Sequence, residues 1–125
     1  MNSKVFLVVR ILLGLILLVF GFNKFFQFLP PFEGMSAEAG NYFAALTSSK
    51  TLTMVAIVEI VAGLALIVNK YGALMAVVLM SVSVNAVLFH ATLDPGNIIP
   101  ALALLLLNLI VMFGYKEKYK DILAG

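Results

Sequence analysis

The sequence has no cysteine, no tryptophan and only one histidine, His90. Without cysteine the chain cannot form disulfides, use a thiol nucleophile, or hold iron–sulfur or zinc centres through thiolates. His90 has no second histidine, cysteine or close carboxylate cluster that would complete a metal or haem site. We therefore expect no metal, no covalently bound cofactor and no catalytic residues, and we do not expect the chain to be catalytic on its own.

Charged residues are also scarce, at 11% of the 125 residues, whereas soluble domains carry about 25%. Hydrophobic residues make up 63% of the chain, and the mean hydropathy is +1.13. Too few polar residues remain to cover a surface that faces water. The formal net charge of +2 indicates membrane orientation and contact with anionic headgroups, and no nucleic acid partner is expected.

The apolar residues form four blocks, each close to the roughly 17 to 25 residues that cross a hydrocarbon core. None of them alternates like a strand, and helices satisfy their own backbone hydrogen bonds in lipid. The sequence therefore predicts an all-α fold, an integral membrane four-helix up-down bundle that forms one domain over residues 1–125. The predicted transmembrane helices cover approximately residues 5–28, 51–68, 71–90 and 98–115.

The long connection, residues 29–50, separates the first two predicted spans. Ser36 is a candidate N-cap for a short helix within it, with apolar residues on one face. We expect this helix to lie at the membrane interface, in the first extracytoplasmic loop. The first apolar block is long enough to span, and no cleavage site follows it closely, so we expect a retained helix rather than a signal peptide.

The distribution of basic residues predicts the orientation of the bundle. Only Lys24 and Lys50 flank one end of the predicted spans, whereas the end with both termini carries Lys4, Arg10, Lys70, Lys116, Lys118 and Lys120. Lysine and arginine are in excess on the cytoplasmic side of membrane proteins. The sequence thus predicts a multi-pass protein of the bacterial inner membrane with both termini in the cytoplasm.

Glu59 lies near the middle of the second span, where an unpaired carboxylate facing lipid is unfavourable. Arg10 is its natural partner, since at about 1.5 Å per residue the two lie roughly 7 to 8 Å and 13 to 14 Å from one end. The pair is either an ion pair that sets the helix register or a polar pocket for a headgroup; alternatively, Arg10 reaches the lipid surface separately. Small residues on the same stripes would permit close approach: Gly14, Gly21, Ala56 and Gly63.

Five further polar residues complete the candidate ligand-binding set: Asn23, Lys24, Asn85, His90 and Asn108. Asn108 either joins Arg10 and Glu59 or forms an interhelical hydrogen bond. The other four come to similar depths in the outer half, where headgroup contacts are the alternative to a site. Phenylalanines at the outer end of the first helix either pack or form an aromatic wall suited to a planar quinone ring.

Several short segments resemble the DoxX-like family of small four-helix bacterial membrane proteins. The resemblance lies in residues 10–14, 20–25, 59–63 and 90–95. The family takes its name from small subunits associated with terminal quinol oxidase and thiosulfate:quinone oxidoreductase activity, and other members are linked to membrane oxidoreductase complexes that handle oxidative stress. The resemblance implies a role for Arg10, Lys24, Glu59 and His90.

Together these features favour an accessory membrane subunit of an oxidoreductase or quinone-linked complex. It would bind a quinone or similar lipid headgroup in a pocket around Arg10 and Glu59, and would associate with other membrane oxidoreductase subunits or with further copies of itself. The alternatives are a non-catalytic structural or assembly protein and a small proton-coupled transporter. Small multidrug transporters place their glutamate in the first helix and usually have tryptophan nearby, so the last alternative is the least favoured.

Overall fold

A computed structural model describes all residues, 1–125, and contains helices but no strands. Short 3-10 turns follow the fourth and fifth helices, at Pro95–Asn97 and Lys116–Tyr119. The predicted all-α class is confirmed. The six α-helices are α1 (Ser3–Phe26), α2 (Ala37–Ser48), α3 (Thr51–Val68), α4 (Gly72–Leu93), α5 (Ile99–Gly114) and α6 (Lys120–Leu123).

Three helices, α1, α3 and α4, are each long and apolar enough to cross a membrane. Helix α5 has 16 residues, about 24 Å at 1.5 Å per residue, and reaches spanning length only together with Lys116–Leu123. That C-terminal segment bends away from α5 by 76°. The predicted membrane bundle is therefore confirmed with three to four crossing helices.

The ends of the four long helices differ by at most three residues from those predicted, and α3 has the predicted bounds. Helix α1 stops at Phe26 because Gln27 takes the left-handed conformation, with φ of 52°, and its N–H bonds to the carbonyl of Asn23. Helix α4 continues past His90 to Leu93, and the N–H of Asp94 still bonds to the carbonyl of His90. The turn that ends α4 therefore comes only at Asp94, before the proline.

Helices α1, α3, α4 and α5 alternate in direction, so the bundle has two distinct ends. We call the end that holds the start of α1 and the end of α5 the terminal end, and the other the loop end. Helix α2 lies at the loop end against α3 and α4. The Ser36 hydroxyl accepts a hydrogen bond from the Ala39 N–H at 3.1 Å and donates one to the Leu93 carbonyl at 3.0 Å. The predicted short helix and its cap are confirmed.

The most extensive interhelical contact joins α1 and α3, and glycine makes it possible. A Cβ on Gly63 would lie 2.8 Å from the Gly14 carbonyl oxygen, and one on Gly14 would lie 3.0 Å from the Gly63 oxygen. Seven residues further along α1, a Cβ on Gly21 would lie 3.1 Å from the Ala56 oxygen. The backbones therefore touch over two turns, as the small-residue stripes predicted.

We predict that Gly63→Ala destabilises the protein, because the added methyl must push the two backbones apart. Overpacking of this kind typically costs about 1 to 3 kcal/mol. Gly40→Ala in α2 is the matched control, since its Cβ would meet nothing within 4 Å. The midpoint of unfolding in mixed micelles of mild detergent and SDS measures both. Equal midpoints for the two variants would contradict a close α1–α3 contact.

Candidate functional site

Two charged residues in the interior of the bundle form an ion pair between α1 and α3. Glu59 lies midway along α3 with 2% of its side chain exposed, and Lys24 Nζ lies 2.5 Å from its Oε1. Lys24 comes from the last turn of α1 and keeps 23% of its side chain exposed. The carboxylate is therefore neutralised inside the bundle by a lysine that remains accessible from the loop end.

The predicted Arg10–Glu59 pair is wrong, and the helix register gives the reason. A Cβ on Gly21 would lie 3.3 Å from the Glu59 Cβ, so Glu59 is level with Gly21. Lys24 is one turn away on the same face of α1, whereas Arg10 is about 16 Å along the helix in the other direction. Counting from the ends of the apolar blocks placed Glu59 level with Gly14, which is seven residues, or about two turns, from its observed level at Gly21.

Arg10 instead binds the end of α3. Only 7% exposed, it donates from Nη1 to the carbonyls of Leu66 and of Ile67, the latter at 3.2 Å. The last carbonyls of a helix lack intrahelical partners and carry the negative end of its dipole, so a cation there is stabilising. The Phe6 ring adds a cation–π contact, with its centroid 5.9 Å from the Arg10 Cζ. Arg10 Nε is buried and has no partner.

Asn108 joins α5 to α4 and does not contact the ion pair. It is fully buried, its Oδ1 accepts from the Ser83 hydroxyl at 2.7 Å, and its Nδ2 donates to the Ala76 carbonyl at 3.0 Å. Of the two predicted roles, the interhelical hydrogen bond is therefore the correct one. Ser83 was missed from sequence, although a hydroxyl in an otherwise apolar span is itself a signal for such a bond.

His90 belongs to a separate network at the loop end. Its Nδ1 lies 3.2 Å from Asp94 Oδ2, and both residues are buried. Asn97 Nδ2 donates to Asp94 Oδ1 at 3.0 Å and to the Glu33 carbonyl at 3.0 Å. The edge of His90 meets the Phe32 ring, with the ring centroids 5.3 Å apart. This network ties the α1–α2 connection to the α4–α5 turn, and none of its bonds reaches Lys24.

The remaining two predicted residues serve local roles. Asn23 accepts a hydrogen bond from the Leu29 N–H at 2.7 Å and so shapes the chain after α1. Asn85 is exposed, and its amide donates to the Ser81 carbonyl of its own helix at 2.7 Å. The expected outer cluster of Asn23, Lys24, Asn85 and His90 is thus divided among separate partners.

The ion pair retains hydrogen-bonding capacity that nothing in the chain uses. Lys24 donates one hydrogen bond, to Glu59 Oε1, and an ammonium has three N–H donors. Glu59 Oε2 accepts no hydrogen bond within the chain. A donor and an acceptor therefore lie side by side near the loop end. Grooves of about 390 and 260 Å³ lie at the terminal end, and neither is lined by Lys24 or Glu59.

We predict strong energetic coupling between Lys24 and Glu59, and none between Arg10 and Glu59. Removing one member of a buried pair typically costs about 3 to 5 kcal/mol, because the other charge is left uncompensated. In double-mutant cycles with Lys24→Met, Arg10→Met and Glu59→Leu, the first pair should deviate from additivity by about 1 to 3 kcal/mol. The second should be additive within about 0.5 kcal/mol. Unfolding in mixed micelles provides the free energies, and the reverse pattern would refute the pairing.

Comparison with known proteins agrees with this architecture. The family model described as DoxX matches residues 5–92, which run from the first turn of α1 almost to the end of α4 and include both members of the ion pair. No curated protein and no solved structure gives a significant match. The matched region covers well over half of the chain and every helix that is long enough to span a membrane by itself. This multi-pass membrane protein therefore belongs to the DoxX family.

Proposed function

We propose that this protein is an accessory membrane subunit of an oxidoreductase or quinone-linked complex, and that Lys24 and Glu59 bind a quinone headgroup. The DoxX family is often associated with such roles. The observation that carries the proposal is the buried ion pair, whose ammonium and Oε2 have hydrogen-bonding groups left over. Because the sequence offers no ligand set for a redox centre, the electron carriers would belong to a partner subunit.

The chemistry of a quinone headgroup matches these two groups. A quinone carbonyl accepts a hydrogen bond, which the Lys24 ammonium can donate, and a quinol hydroxyl donates one, which Glu59 Oε2 can accept. Hydrogen bonds to charged groups are about twice as strong as neutral ones. The same pair can thus hold both forms of the headgroup.

The route to this site would lead from the lipid. Lys24 is partly exposed while Glu59 is buried, so a headgroup would meet the ammonium first. Phe25, the next residue of α1, lies about 100° around the helix from Lys24, and its side chain is exposed. Such a ring offers a planar surface for an aromatic ligand at the same depth. The proposal therefore places the headgroup on the flank of the bundle rather than in an enclosed cavity.

A purely structural or assembly role is the second candidate, and a specific observation favours it. Arg10, Asn108 and His90 all contact a separate helix or connection, His90 through the Phe32 ring. Such contacts organise a bundle without any ligand. Under this alternative the Lys24–Glu59 pair would only add a further connection between α1 and α3.

For localisation, we propose the bacterial inner membrane with both termini in the cytoplasm. Most lysine and arginine residues flank the terminal end, and a cytoplasmic excess of such residues is the common pattern. Partner oxidoreductase subunits, or further copies of this chain, would contact the exposed apolar faces of the spans.

We expect quinone to co-purify with the wild-type protein and to be lost when the pair is changed. The protein, extracted from native membranes in mild detergent, would be compared with Lys24→Met and with the double variant Lys24→Met, Glu59→Leu, which leaves no uncompensated charge. Lys50→Met, an exposed lysine at the same end, is the matched control. Mass spectrometry would measure quinone per protein, and circular dichroism would report folding.

Near-stoichiometric quinone in the wild type and Lys50→Met, with little in the folded double variant, would support the proposal. Absence of quinone from the wild type, or equal quinone in all four proteins, would contradict it and favour the structural role.

A further inference from the structure

The groove of about 390 Å³ at the terminal end is not used by the proposed function. It lies between the α3–α4 turn, the first two turns of α4 and the C-terminal segment, and we call it the terminal groove. Its floor is apolar and includes Leu74, Val77 and Ile122, and its rim includes Lys118. Ligand sites commonly have volumes of about 300 to 1,000 Å³.

Two tyrosines hold the wall of the terminal groove in place. The chain bends by 76° after α5, and the Tyr119 hydroxyl then donates to the Ala73 carbonyl at 2.7 Å. The Tyr115 hydroxyl donates to Asn69 Oδ1 at 2.6 Å. Gly72 makes room for it, since a Cβ there would overlap the Tyr115 hydroxyl. The groove is therefore formed by hydrogen bonds within the protein and does not need a ligand to shape it.

The charges around the terminal groove are mainly positive. Lys70, Lys116, Lys118 and Lys120 stand in or beside it, against Glu117 and Asp121. Lys120 pairs with Glu117 at 2.5 Å, and Lys116 lies over the Phe113 ring at 4.6 Å. Lys118 forms no salt bridge and lines the groove. An accessible cation thus lines the same groove as the apolar residues.

The position of the floor relates this cation to the membrane. Leu74 and Val77 are one turn apart, in the first two turns of α4, where the helix enters its apolar span. Leu74 is 58% exposed, and Ile122 on the opposite wall is 78% exposed. Apolar surface below a basic rim at the end of a span is the arrangement that receives acyl chain and headgroup together.

We propose that the terminal groove binds one anionic phospholipid of the adjacent leaflet, with its phosphate at Lys118 and an acyl chain along Leu74 and Val77. Charge complementarity selects an anionic lipid over a zwitterionic one. The apolar floor selects a lipid over a free anion, which would have no contact with it. This site lies at the opposite end of the bundle from Lys24 and is not lined by Glu59, so the proposal is independent of quinone binding.

Because the chain lacks tryptophan, Tyr71→Trp provides a single fluorescent reporter in the lining of the groove. This protein would be placed in phosphatidylcholine vesicles with a minor fraction of either brominated phosphatidylglycerol or brominated phosphatidylcholine. Bromine quenches tryptophan on contact. We expect stronger quenching by the brominated phosphatidylglycerol, and the ratio of the two gives the lipid preference at the groove.

Lys118→Gln in this background should lower the preference about fivefold, the equivalent of about 1 kcal/mol for one lysine near an anionic surface. Lys118→Arg should retain it. Lys116→Gln is the matched control, because it removes the same charge from the same segment outside the groove lining, and it should have a much smaller effect. Equal quenching by the two lipids, or equal losses in Lys116→Gln and Lys118→Gln, would overturn the site, the latter by indicating only a diffuse surface potential.

Discussion

The contact between the backbones of α1 and α3 determines where the charges inside this bundle can lie. Gly14 and Gly63 pack so closely that a Cβ on either would lie within 3.0 Å of the other's carbonyl oxygen. Neither helix can therefore slide along the other without a steric clash. With that register, Gly21 is level with Glu59 and Lys24 reaches the carboxylate. In the same register, Arg10 lies beside the last turn of α3 and donates to its carbonyls. The polar chemistry of the protein therefore depends on a contact made by residues that have no side chain.

The bundle buries polar groups in three physically different ways. The charge of Glu59 is compensated by Lys24, and that of Arg10 by the carbonyls and dipole at a helix end. Asn108 is uncharged, and its amide is satisfied by hydrogen bonds to a neighbouring helix. The contacts of Arg10 and Asn108 are made entirely within the protein, and they stabilise the bundle without a ligand. Only the first combines a partly exposed cation with an unused acceptor, which is why we place ligand binding there.

The two ends of the molecule suit different neighbours. At the loop end, α2 and the His90–Asp94 network cover the bundle, and Lys24 stays partly exposed. At the terminal end, lysines surround an apolar groove shaped by Tyr115 and Tyr119. An accessory subunit of this design would take a quinone from the lipid near one interface and hold a structural lipid at the other. Its exposed apolar faces would remain available to partner subunits.

The sequence by itself determined the membrane class, the bounds of the long helices to within three residues, the capped helix at the loop end and the inward position of Glu59. These follow from local properties, namely hydropathy, helix caps and the cost of burying a charge. It also identified the small-residue stripes and the family resemblance.

Only the tertiary structure decided which cation Glu59 meets. Arg10 and Lys24 lie on the same stripe of α1, and a shift of α3 along α1 by two turns, about 11 Å, changes which of them meets Glu59. Apolar blocks do not give the relative depth of two helices. Their ends were taken to be level, whereas α1 extends beyond α3 at the terminal end. The sequence also does not determine which way each helix is rotated about its axis. Asn85 faces outward and donates to its own helix, whereas Asn108 is buried between two helices. The depth and rotation of a side chain depend on how whole helices pack, and that is a property of pairs of helices rather than of any one segment.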